Sequence, residues 1–73
     1  NNFNRMAALQ QGTREKALIS LCDKHYISIH DLIDNISNRG VYADKELWEE
    51  KIKDVINYMI LLYAMVDERI SPF

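Results

Sequence analysis

The sequence predicts an all-α protein: a helical hairpin of two long helices plus a short N-terminal helix, forming a four-helix bundle by dimerisation. Two long stretches free of Gly and Pro carry apolar residues three and four apart, the spacing of one helix face. The turn between them, around Gly40, is short enough to fold them antiparallel. Their apolar surface is wider than one hairpin seam covers, and a second copy is the simplest closure.

The first element is a short helix over residues 2–10, with Phe3, Met6, Ala7 and Leu9 on its apolar side. Gly12 breaks it. Thr13 then reads as the N-cap of the first long helix, because its hydroxyl can accept from a first-turn N–H. That helix is expected over residues 14–37. Leu18, Leu21, Cys22, His25, Ile29, Leu32 and Ile36 form its main stripe, and Ile19, Tyr26 and Ile33 form a second series seven residues apart. Gly40 is a good left-handed terminator, and a connection of about six to eight residues follows. Asp44 is the expected N-cap of the second long helix, residues 45–69, with Glu46, Glu49 and Glu50 at its positive end. The expected core stripe is Trp48, Ile52, Val55, Met59, Leu62 and Val66, widened by Leu47, Ile56, Ile60, Tyr63 and Ile70. Ser71-Pro72 stops the helix.

The chain has 73 residues, enough for a single domain over 1–73. A chain this short buries only about 60% of its unfolded surface, so its core is marginal without disulfides, metals or partner subunits. Cys22 is the lone cysteine, and no Cys/His spacing suits zinc. Oligomerisation, as a dimer or higher, is the remaining aid. The hydrophobic fraction is 48%, well above a disordered composition. The net charge is −2, without a Lys/Arg cluster to grip phosphodiesters, so nucleic acid is not an expected partner. The most apolar run, Val55 to Val66, is far short of the roughly 20 residues that span a bilayer. With no signal-peptide pattern, the expected location is the cytoplasm.

The stretch that could carry chemistry begins at Glu50. Glu50, Asp54, Asn57 and Leu61 share one helical line. Two carboxylates one turn apart can share a hard cation such as Mg²⁺, which prefers oxygen ligands. They can equally be a solvated face pairing with nearby lysines. Lys24, Ser28, Asp31 and Asn35 make a similar line on the other long helix, with His25 beside it. In an antiparallel hairpin the two lines could face each other. Glu50, Asp54 and Asp31 are then the candidate metal ligands, and Lys24, His25 and Asn57 the candidate phosphate or base contacts. The plain alternatives are a half-buried His25 with a satisfied ring, a surface Lys24, and Trp48, Tyr26, Tyr58 and Tyr63 as core or interface residues. The sequence lacks a Gly-rich phosphate loop and a nucleophile elbow, and nothing around Cys22 marks an activated thiolate.

The segment Glu50-Lys51-Ile52-Lys53-Asp54-Val55-Ile56-Asn57-Tyr58-Met59-Ile60-Leu61-Leu62 resembles the last core helix of the MazG-like all-α nucleotide pyrophosphohydrolases. It is most similar to the small members encoded by phages and bacteria, with Asp, a hydrophobic pair, Asn-Tyr and a Leu/Ile run. The stretches Asn2 to Leu9 and Lys24 to Ile29 also resemble parts of such proteins. The resemblance implies a helical dimer or tetramer in the host or bacterial cytoplasm. It implies Mg²⁺-dependent hydrolysis of a nucleoside triphosphate to monophosphate and pyrophosphate, with Glu50 and Asp54 as the catalytic carboxylates. Clustered carboxylates of this kind hold metals that neutralise phosphates and activate water. The family's motifs are Glu-Glu-x-x-Glu and Glu-x-x-Asp. Asp54 matches the end of the second, but Lys51 stands at its Glu position, and the other helix carries Asp31 and Asp34 in place of the first. Two expectations follow. The chain binds or hydrolyses a nucleotide with Mg²⁺, or it is a non-enzymatic helical module that binds a protein partner through an apolar face.

Overall fold

The computed structural model of the chain describes residue 5 and residues 12–71. The expected helix over 2–10 lies, Arg5 apart, outside the described residues. Two helices dominate: α1, Arg14–Arg39, and α2, Lys45–Ile70. Each has 26 residues, about 39 Å of helix at 1.5 Å per residue.

The caps explain where the helices start and stop. Thr13 is extended, and its Oγ1 accepts from the Lys16 N–H at 3.1 Å. This satisfies one of the orphan donors of a helix start. At the other end Gly40 is left-handed, with φ of 64°. The Gly40 N–H donates to the Ile36 carbonyl at 3.1 Å, and the Val41 N–H to the Asn35 carbonyl at 3.0 Å. Helix α1 therefore runs two residues past the expected Ser37, because this cap uses Gly40 itself as the first non-helical residue. The connection shortens to residues 40–44. Asp44 sits at the N-cap position of α2, with extended backbone but no side-chain cap bond.

The helices pack antiparallel. Arg14 meets Glu68 and Glu15 meets Arg69 at one end, and His25 meets Asp54 midway along. Leu18 and Cys22 of α1 are fully buried, as is Ala17, and Met65 of α2 is nearly so. The half-buried residues continue both stripes: Leu21, His25, Ile29, Leu32 and Ile36 on α1, and Trp48, Lys51, Val55, Tyr58 and Leu62 on α2.

The expected core stripe of α2 is corrected by one position. Ile52 and Val66, placed inward by the sequence, are 44% and 39% exposed. Lys51, Tyr58 and Met65 take the inward places. In this rotation His25 meets Asp54 and Tyr58, and Ile52 and Val66 turn outward.

Two helices packed side by side make one layer with two broad sides. Viewed from one end, antiparallel helices wind in opposite senses. A residue one position after an inward one therefore falls on the same side from either helix. Ile19, Tyr26 and Ile33 follow Leu18, His25 and Leu32. Ile52, Ile56 and Tyr63 follow Lys51, Val55 and Leu62. These residues make this side largely apolar, with Asp23, His30 and Glu49 following Cys22, Ile29 and Trp48 onto it. The other side carries Lys24, Ser28 and Asp31 with Glu50 and Asn57.

Candidate functional site

The polar side holds every candidate the sequence singles out. At its centre the His25 Nδ1 lies 3.5 Å from the Asp54 Oδ2, across the hairpin. That distance is long for a hydrogen bond. The His25 ring also lies against Tyr58, with centroids 5.2 Å apart and planes at 39°. This is a usual separation for packed aromatic rings. Both His25 and Asp54 are half-buried, so the pair forms the floor of the polar side.

Around this floor Lys24, Asp31, Glu50 and Asn57 are exposed. Ser28 Oγ donates to the Lys24 carbonyl at 3.2 Å, which ties that hydroxyl to its own helix. Glu50 stands one turn, about 6 Å, from Asp54 along α2. Asp31 stands six residues from His25, about 9 Å along α1, while Asp54 is level with His25. Mg²⁺ binds its oxygens at about 2.0–2.1 Å, so Glu50, Asp54 and Asp31 do not converge on one ion within a single copy. No group of three or more His, Cys, Asp or Glu side chains among the described residues is arranged to hold a metal. Of these residues the structure brings His25 against Asp54 and sets Asp31 about two turns along α1 from that pair. Tyr58, placed by the sequence only as a core or interface residue, is the packing partner of His25. Its position one turn beyond Asp54 was the available signal.

Long-range charge pairing concentrates instead at the open end. Glu15 Oε1 accepts from Arg69 Nε at 2.6 Å and lies 3.6 Å from Arg14 Nε. Arg14 Nη2 lies 2.9 Å from Glu68 Oε2. The Arg69 hydrogen bond holds the Glu15 carboxyl down at about 2, from an ordinary 4.5. This group clamps the helix ends and has no resemblance to a catalytic site. Cys22 is buried, and burial pushes its thiol up, away from the thiolate a nucleophile needs.

The apolar side has its own relief. Ile56, Met59, Ile60 and Tyr63, with Val55, line an open hollow of about 420 Å³ on α2. Ile60 is 61% exposed and Tyr63 74%. Among the described residues, no helix is long and apolar enough to cross a membrane. The chain matches no family model, no curated protein and no solved structure.

Proposed function

We propose that this chain is a helical interaction module that assembles through the apolar side of its hairpin, two hairpins closing a four-helix bundle. One observation carries the reading. A single-layer hairpin leaves Ile33, Ile56, Ile60 and Tyr63 between 45% and 74% exposed, all on one side. Contiguous apolar surface of that kind marks interaction sites, and domains are ordinarily built of at least two packed layers. Sedimentation equilibrium tests it. The expected result is a reversible dimer at micromolar concentration. A chain that sediments as a monomer at all accessible concentrations overturns the reading.

A second reading rests on the opposite side. The His25–Asp54 pair, flanked by Lys24, Glu50 and Asn57, supports binding of a nucleotide with Mg²⁺, as the MazG-like resemblance implies. Lys24 and Asn57 would contact phosphate or base. Glu50 and Asp54 would hold the ion, completed by water and phosphate oxygens, as Mg²⁺ commonly is. Lys51 in the Glu-x-x-Asp position favours binding over hydrolysis. Calorimetry with nucleoside triphosphates, with and without Mg²⁺, tests this reading. Binding that requires Mg²⁺ and disappears in Asp54→Ala supports it, and absence of heat across the panel removes it.

A further inference from the structure

We infer that the apolar side is covered by α2 of a second copy, packed antiparallel across a two-fold axis in one register. This rests on the assembly reading above and specifies its partner helix and register. Helix α2 carries two seams of three-and-four spacing, one residue apart. The first faces α1. The second, Ile52, Ile56, Met59, Tyr63, Val66 and Ile70, runs along the apolar side. Its steps are 4-3-4-3-4, the strict heptad pattern of a coiled-coil seam.

That pattern reads the same in both directions. An antiparallel copy can therefore place every seam residue against another: Ile52 on the partner's Ile70, Ile56 on the partner's Val66, Met59 on the partner's Tyr63. The open hollow fits this packing. Ile56, Met59, Ile60 and Tyr63, four of its lining residues, stand at i, i+3, i+4 and i+7. Four residues so spaced are the hole that receives one knob from a facing helix.

Area and charge agree. Ile52, Ile56, Ile60, Tyr63, Val66 and Ile70 keep 39–74% of their surfaces exposed. At ~200 Å² per large side chain this is roughly 700 Å² per copy, close to the ~800 Å² per partner of a standard interface. Along the seam's edge stand Lys53, Ile60 and Asp67, seven residues apart. This register puts the two-fold axis level with Leu61, so Ile60 stands within about 3 Å of its symmetry mate along the helix axes, and Lys53 within about 3 Å of the partner's Asp67 on either side of the axis. A parallel pair would leave Lys53 and the partner's Asp67 14 residues, about 21 Å, apart.

Charge reversal on the full chain tests the register, since Lys53 and Asp67 are exposed and their replacement leaves the hairpin core intact. Each of Lys53→Asp and Asp67→Lys puts like charges together twice per dimer. Each is expected to weaken dimerisation about tenfold in sedimentation equilibrium at low salt, with helicity by circular dichroism unchanged. The double swap rebuilds both pairs and is expected to restore the wild-type dissociation constant. A wild-type dimer indifferent to the single reversals, or a swap weaker than either single variant, overturns the register and leaves the assembly reading standing. A wild-type monomer overturns both.

Discussion

Glu15 joins both helix ends through charge. Its carboxylate accepts from Arg69 and neighbours Arg14, and it titrates near 2 against an ordinary 4.5. A carboxyl depressed on folding stabilises the folded state above its unfolded value, and this contribution is lost as pH falls through the folded value. Glu15→Gln should therefore lower the unfolding temperature at neutral pH. The gap from wild type should close as pH drops from 4.5 toward about 2. A gap that stays constant over that window in thermal melts would show that the carboxylate charge is not what matters. His25 and Asp54 are a second cross-helix pair, at 3.5 Å. Half-exposed pairs of this kind contribute little, so a His25→Ala and Asp54→Asn double-mutant cycle should give a coupling of about 0.2–1 kcal/mol. Urea melts of the four proteins would measure it, and no coupling at any pH would mean the contact is incidental. At this scale the sequence offered His25 beside a polar line that could face the Glu50/Asp54 line, because both lines run along the edge of an apolar stripe. It could not mark Glu15 and Arg69 as partners, because they are 54 residues apart and meet only when the hairpin closes.

The helices themselves rest on local chemistry. Thr13 and Gly40 cap α1 as their residue types dictate, through one side-chain acceptor and one left-handed backbone. Gly40→Ala would meet no atom within 4 Å, so its cost comes from the positive φ alone. It should be about 1–2 kcal/mol in denaturant melts. Thr13→Ala should cost about 1 kcal/mol, whereas Asp44→Ala should cost less, because Asp44 makes no side-chain cap bond. Equal losses at Thr13 and Asp44 would contradict this ranking. The one-position rotation of α2 belongs to this scale too. Trp48, Val55 and Leu62 belong to either inward stripe. The choice between Ile52 and Val66 on one side, and Lys51, Tyr58 and Met65 on the other, is not a matter of period.

The described residues form a two-helix hairpin whose fully or nearly buried apolar side chains are Ala17, Leu18, Cys22 and Met65. Domains of this size have total stabilities of only a few kcal/mol. Leu18→Ala, with an expected loss of about 2–5 kcal/mol, should therefore unfold an isolated hairpin. If the apolar side is covered by a second copy, the unfolding temperature should rise with protein concentration. Thermal melts over a hundredfold concentration range would show this, and a constant midpoint would exclude assembly as a source of stability.

The sequence by itself determined the two helices, their caps, their antiparallel return and the excess of apolar surface, because each follows from spacing and residue type within a turn or two. Only the tertiary structure decided which apolar stripe of α2 faces α1, that Asp31 stands apart from Glu50 and Asp54, and that Ile19, Tyr26 and Ile33 share a side with Ile52, Ile56 and Tyr63. Those outcomes depend on the rotation and axial stagger of one helix against the other. Two stripes with the same period are equivalent within a single helix, and side chains from the facing helix are what distinguish them.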